Sequence, residues 1–315
     1  MLFKDFYAGK TILLTGCTGF LGKVVLEKCL RSLPMIKKIY IMVRPKRNQT
    51  IQERIETTIF SSEIFSRVFS ENPGLRERLS EVVIPFAGDL IIKGLGISKE
   101  DRETLTSEVD LIINCAASIN FDDPLLDAIQ INYLGCLKML DLAKQCKKLL
   151  AHVHVSTAYV NSNTEGFIEE KIYDLEGNED PEERINTILK MNPQYINENE
   201  KELIGSYPNT YTFTKSMAER VFKKRAVGLR AAIVRPAIII AAKDEPFPGW
   251  TDSLAAAGGL TLSICIGILK QIRMKENGTL DVVPADYCSN LILATTVFTG
   301  CAPSPTLNIV HSSSS

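Results

Sequence analysis

Tyr211 and Lys215 stand four residues apart in YTFTK, at the head of SMAERVFKKR, a run with helical polarity. At 3.6 residues per turn the two side chains fall on one helix face. A phenol with an ordinary pKa near ~10 needs help to exchange protons at neutral pH. A neighbouring ammonium supplies it by stabilising the phenolate. The chemistry on offer is general acid catalysis at an oxygen that gains negative charge. Tyr-x-x-x-Lys also arises by chance on helix surfaces, so its meaning depends on what lies upstream.

Two upstream stretches matter. V-S-T-A-Y, residues 155–159, ends an apolar strand-like run and offers the Thr157 hydroxyl. T-G-C-T-G-F-L-G, residues 15–22, places Gly16, Gly19 and Gly22 at G-x-x-G-x-x-G spacing between the strand run KTILLT and the helical run KVVLEKCLRSL. At a strand–turn–helix junction this spacing lets the backbone approach a pyrophosphate, whose charge the helix-terminal N–H groups attract. The next strand ends in VRPKR, with Arg44, Lys46 and Arg47 where an NAD site carries a carboxylate for the ribose hydroxyls. A carboxylate would repel a 2′-phosphate, whereas a guanidinium binds it with paired hydrogen bonds. The cofactor expected is NADPH, with Arg44 the first candidate and Arg47 beside it.

These groups need a scaffold. KTILLT, KKIYIMVR, EVVIPFAGD, VDLIINCAA, AHVHVSTAYV and RAAIVRPAIII read as strands, and AIQINYLGCLKMLDLAKQC as a helix. Short apolar runs alternating with helices predict an α/β fold, a doubly wound parallel sheet covered on both faces. The expected division is a dinucleotide-binding Rossmann domain over 1–240 and a smaller substrate-binding region over 241–315, packed on it. An acidic stretch at about 165–208 reads as a solvated helical insertion. With the segment after 240 it should fold over the carboxyl ends of the strands, where open α/β sheets bind ligands.

Composition narrows the function. The 315 residues are 45% hydrophobic and carry 36 basic against 37 acidic side chains. A net charge of -1 gives no general attraction for nucleic acid. The eight cysteines form no C-x-x-C pair and read as reduced, buried thiols of an intracellular protein. His152, His154 and His311 lack metal-ligand spacing, so no metal site is expected and the histidines read as structural. The start, MLFKDFYAGK, has no secretion-signal pattern. Leu254–Leu269 is apolar but shorter than the ~20 residues of a membrane span, and Gly258 and Gly259 interrupt it. It is expected to be a buried or substrate-lining helix. The closing HSSSS is a weak end for a domain and points to a piece of a longer protein.

With TGCTGFLG, Asp89-Leu90, Asn114–Ala117, Thr157, Tyr211-x-x-x-Lys215 and Arg235-Pro236 in this order, the chain resembles the extended short-chain dehydrogenase/reductases. IYIMVRPK, NCAASINFDD, VSTAYVN, VRPAI and above all EPFPGWTD resemble the fatty acyl-CoA reductases, the male-sterility type. The resemblance covers nearly the whole chain. It implies reduction of long-chain acyl-CoA to primary alcohol through an aldehyde, with two NADPH. It also implies a further C-terminal domain that this sequence lacks, and a full-length form at peroxisomal, reticulum or plastid membranes. The family's Asn-Gly-Pro turn is replaced by AAAGG at 255–259, so chain-length preference does not carry over.

Residue by residue, the resemblance makes Tyr211 the general acid, Lys215 its support and the holder of the nicotinamide ribose, and Thr157 the partner of the substrate carbonyl oxygen. Asn132 is the helix asparagine that supports a proton-relay water. Gly16, Thr18, Gly19, Phe20, Leu21 and Gly22 belong to the phosphate cradle. Asp89 and Leu90 face the adenine, Ala116 and Ala117 the ribose, and Pro236 and Ala237 the nicotinamide amide. Competing readings are a reductase of carrier-protein thioesters or aldehydes, and a catalytically silent NADPH-binding module.

Overall fold

Seven short apolar strands run parallel through the molecule: β1 (Thr11–Thr15), β2 (Lys38–Val43), β3 (Val83–Ala87), β4 (Leu111–Asn114), β5 (Ala151–Val155), β6 (Arg230–Pro236) and β9 (Thr306–Ser312). Their order is β3-β2-β1-β4-β5-β6-β9, and a separate pair is formed by β7 (Ile238–Ile240) and β8 (Val282–Pro284). The structure is a computed structural model and describes residues 3–255, 257–273, 278 and 280–312. Parallel neighbours need crossovers, and helices supply them. The principal helices are α1 (Phe20–Ser32), α2 (Lys99–Glu108), α3 (Gly135–Gln145), α4 (Pro181–Lys190), α5 (Thr210–Arg225), α6 (Ala257–Cys265) and α7 (Ala285–Gly300).

The strands are apolar throughout because both faces are covered. In β1, Ile12 and Leu14 join the core under α1 and α7, while Leu13 faces Met139 and Leu142 of α3. In β6, Ala232 and Val234 join the first core, and Ala231 and Ile233 meet Phe213, Met217 and Phe222 of α5. This two-residue alternation seats a helix on each side. Strand order reverses between β1 and β4, which opens the crevice where ligands of such sheets bind.

Several elements differ from their sequence reading. RAAIVRPAIII is two strands: β6 keeps its register with β9 to Pro236, Ala237 N donates to Ser312 O at 2.8 Å, and the chain then leaves as β7. β9, TLNIVHS, carries polar residues along an edge and gave no clear pattern. The acidic insertion is amphipathic. Ile185 and Ile188 of α4, with Ile196, Ile204 and Tyr207, are buried against α5.

The segment after 240 is anchored on α1 and α7. The Asp286 carboxylate accepts from the N–H groups of Lys243, Asp244 and Glu245 at 2.9, 3.0 and 3.1 Å. The Trp250 ring stacks on Phe20 at 5.4 Å, and Glu245 and Asp252 pair with Lys28 and Lys23 of α1. The EPFPGW motif is thus a loop clamped along α1, with Trp250 on Phe20 at its start and Glu245 on Lys28 and Arg31 near its end.

The apolar stretch expected to be buried or substrate-lining is not buried. Leu254, Leu260, Leu262, Ile264, Ile266 and Ile268 on and around α6 are all exposed. Among the described residues, no helix is long and apolar enough to cross a membrane. Two thiols also depart from expectation, because Cys265 and Cys301 are exposed, while Cys115 is half-buried and the other five are buried.

Candidate active site

The glycine turn closes against the end of β4. Gly16 has φ +81, and a Cβ there would lie 2.9 Å from Ala116 N; a Cβ on Gly22 would lie 2.1 Å from Gly16 O. Neither position tolerates a side chain without backbone movement. Helix α1 then starts at Phe20 with Gly19 as its N-cap and no side chain capping the first N–H groups. Backbone donors that no side chain satisfies, at the positive end of a 13-residue helix, are what a pyrophosphate needs. Thr15 ties this turn to β4, since its Oγ1 donates to Asn114 Oδ1 at 2.6 Å and accepts from Ala116 N at 3.1 Å. The residues present fit a dinucleotide.

Opposite the turn, β5 ends at Val155 and Thr157 begins a short 3-10 turn, with its Oγ1 accepting from Tyr159 N at 3.3 Å. Helix α5 is held at its start by Asn209, whose Oδ1 accepts from Thr212 N at 2.9 Å. One turn in, Lys215 is 2% exposed and its Nζ donates to Val155 O at 2.9 Å. Its charge is felt at Cys115, which adjoins Gly16 across the crevice. The Thr157 hydroxyl faces the Tyr211 phenol. Tyr211, Thr157 and Lys215 therefore meet at the crevice that the glycine turn lines.

Electrostatics qualify one expectation. Burial pushes the Tyr211 phenol up to about 12, and the Thr157 hydroxyl opposes the rise without cancelling it. Lys215 is not the group that lowers it. Burial depresses the Lys215 pKa, while the nearby Cys136, Glu219 and Cys115 oppose that shift. The phenol is thus fully protonated at neutral pH and able to donate, and the amine is fixed on β5 rather than on the phenol.

Asn132 lies beside the loop after β4. It lies in a π-helical turn, Ile129–Leu134, between Leu125–Ala128 and α3. Its Oδ1 accepts from Ser118 N at 2.9 Å and its Nδ2 donates to Ser118 O at 3.1 Å. Asn132 thereby braces the 118–123 loop. That loop carries Phe121, whose ring lies 5.5 Å from that of Tyr211. Asp123 O accepts from Thr210 Oγ1 at 2.9 Å, which joins the loop to the start of α5.

The remaining candidates sit around the crevice. Phe20 turns its ring to Trp250, so only its backbone serves the cradle, and Thr18 and Leu21 are half-buried in the same turn. Asp89 Oδ1 accepts from Ile91 N at 3.1 Å, and Leu90 is a core side chain whose carbonyl accepts from Lys138 Nζ at 2.6 Å. Ala116 and Ala117 follow β4; Pro236 and Ala237 end β6 and are buried. Arg44 and Arg47 are exposed just past β2.

Two supports escaped sequence reasoning. Arg235 and Glu219, each about 1% exposed, form an ion pair with Nη2 to Oε2 at 2.6 Å, tying β6 to α5 one turn beyond Lys215. Arg235 Nη1 also donates to Lys171 O and to His311 Nε2, both at 3.0 Å. Asn114 Nδ2 lies 3.1 Å from His154 Nδ1.

Residues 14–292 match the family model described as male sterility protein. The chain belongs to the male sterility protein family. Its relatives in that family include fatty acyl-CoA reductase 1 of Homo sapiens, 40% identical over 296 residues, which are 94% of this chain and 56% of the relative. Fatty acyl-CoA reductase 2 of Mus musculus is 40% identical over 309 residues, 98% of this chain and 58% of the relative. The chain thus spans little more than half the length of these curated relatives.

Among solved structures, the terminal R domain of the myxalamid PKS-NRPS biosynthetic pathway superposes with a TM-score of 0.67 at 25% identity, covering 96% of this chain and 66% of that one. The Helicobacter pylori ADP-L-glycero-D-manno-heptose-6-epimerase shares the fold, with a TM-score of 0.58 at 17% identity over 98% of this chain and 80% of its own. Family and site together make this a nicotinamide-dinucleotide-binding chain.

Proposed function

We propose that this chain is the reductase unit of an alcohol-forming fatty acyl-CoA reductase that uses NADPH. The observation that carries the reading is the cluster of Tyr211, Thr157 and Lys215 at the crevice of a glycine turn whose backbone excludes any Cβ. The kinship to enzymes named fatty acyl-CoA reductases supports the acyl donor. Arg44, exposed past β2 with no acidic residue beside it in VRPKR, supports the phosphorylated cofactor.

Bound in the crevice, the reduced nicotinamide would supply hydride to the thioester carbonyl carbon, and in a second round to the aldehyde left after the CoA thiol departs. The chain's own residues handle the oxygen. Thr157 and Tyr211 donate hydrogen bonds to it where negative charge develops, and Tyr211 delivers the proton. Lys215, fixed by Val155 O, lines the floor where the nicotinamide ribose would lie. Phe121 packs its ring beside that of Tyr211.

The test is incubation with a C16 acyl-CoA, a C16 acyl-carrier protein and a C16 aldehyde, each with NADPH. Two NADPH consumed per free thiol released, with hexadecanol formed from acyl-CoA, supports the reading. Turnover of the carrier substrate or aldehyde without acyl-CoA turnover refutes the acyl donor. Tight NADPH binding with no turnover of any substrate, by the full-length protein, refutes catalysis.

A further inference from the structure

Phe121 and Ile119 are large apolar side chains left in water close to the reacting group. Phe121 is 55% and Ile119 62% exposed, both in the loop S-I-N-F-D-D, residues 118–123, that follows β4. The Phe121 ring lies 5.5 Å from that of Tyr211, with 34° between their planes. Apolar side chains scattered singly over a surface are ordinary. Two within three residues, one of them against the proposed proton donor, call for a ligand.

The polar side chains of this loop bond to one another and leave the apolar ones in solvent. Ser118 Oγ donates to Asp123 Oδ2, and Asn120 Nδ2 donates to Asp123 Oδ1 at 2.8 Å. Asp122 N donates to Asn120 Oδ1 at 3.2 Å. Asn132 holds Ser118 at both backbone atoms, and Asp123 O accepts from Thr210 Oγ1 at 2.9 Å. The loop is thus fixed to the π-helical turn ahead of α3 and to the start of α5. Phe121 is in place before a substrate arrives, so covering it removes apolar surface from water with little loss of freedom.

The carbonyl carbon of a thioester has two arms, an alkyl chain and a sulfur that leads to the amides and phosphates of CoA. An apolar ring offers no partner to the polar arm. Charge points the same way. Asp122 is exposed next to Phe121, and residues 118–128 include no Lys or Arg, so this rim repels phosphate. We infer that Phe121, with Ile119, seats the acyl carbons next to the thioester and determines specificity for a chain unbranched beside the carbonyl. This rests on the acyl-CoA reading above and assigns the acyl arm its side of the site. A methyl branch on the carbon next to the carbonyl would have to displace the ring, and one carbon too many in an apolar seat is worth about 10–200-fold in discrimination.

The test is kcat/KM of the full-length wild type, F121A and F121L for hexadecanoyl-CoA and 2-methylhexadecanoyl-CoA with NADPH, beside inhibition by free CoA. Wild type should prefer the unbranched substrate at least tenfold, and F121A should cut that preference at least threefold. A wild-type preference below tenfold, or one that F121A changes less than threefold, overturns the inference. Inhibition by free CoA that is tenfold weaker in F121A also overturns it, because the loop would then serve the CoA arm. Should F121A fail to fold, as judged by thermal melting, F121L takes its place, and a preference within twofold of wild type in F121L overturns the inference equally. A wild type that turns over hexadecanal but no acyl-CoA removes the acyl donor alone. The same ratio, read on hexadecanal and 2-methylhexadecanal, then decides Phe121. No turnover of any of these by the wild type removes the reading and the inference with it.

Discussion

Tyr211 is asked to give up a proton although burial holds it to a pKa of about 12. For a general acid this is no handicap at neutral pH, since the donor form is fully populated and the Thr157 hydroxyl stands ready to stabilise the phenolate left behind. Tyr211→Phe removes the proton and keeps the ring against Phe121. The expected result is a fall in kcat of roughly 10²–10⁴ with NADPH affinity changed less than twofold. Stopped-flow turnover beside equilibrium cofactor titration measures both. A variant that turns over within tenfold of wild type would take the proton away from Tyr211. The Tyr-Lys spacing, the glycine turn and Thr157 were legible because each residue's type is its function. The bonds of Asn132 to the Ser118 backbone were not, because the AIQIN run does not encode which loop its amide meets.

At the scale of elements, the position of Tyr211 and Lys215 is only as good as the seat of α5. Capping by Asn209, the Lys215–Val155 bond and the Glu219–Arg235 pair hold that helix to β5 and β6. Glu219→Gln keeps the shape but leaves the Arg235 guanidinium buried beside a neutral amide. Breaking one side of such a pair costs about 3–5 kcal/mol. Urea unfolding should show this loss, and the double variant Glu219→Met with Arg235→Met should regain much of it. A single variant as stable as wild type would mean that Lys171 O and His311 suffice for Arg235. The first six strands were readable from apolar runs bounded by turns. β9 was hidden because TLNIVHS mixes polar residues along an edge, and the buried isoleucines of α4 because acidic neighbours dominate the composition.

The whole molecule has its own pH limit, set in the middle of the sheet. His152 and His154 are buried in β5; the first is pushed down to about 3 by burial, and the second is depressed by burial, by Lys215 and by its neighbour. His152 has no hydrogen bond on either ring nitrogen and meets Phe222 edge-on at 5.3 Å. The folded state therefore keeps the imidazole neutral, while an unfolded histidine charges near pH ~6.5. The folded pKa is the lower one, so the stabilising contribution is complete above ~6.5 and is lost as pH falls toward about 3. Each such histidine adds about 1.4 kcal/mol of lost stability per pH unit inside that window. Unfolding free energies from urea titrations at pH 7, 6, 5 and 4 should fall steeply below 6. His152→Leu, similar in volume and apolar, should flatten the limb by about one proton's worth, roughly 1.4 kcal/mol per unit. Parallel curves for the two proteins would mean that the ring is already charged or solvated in the native sheet. The acid sensitivity would then belong to the carboxylates that anchor EPFPGW and α5 instead.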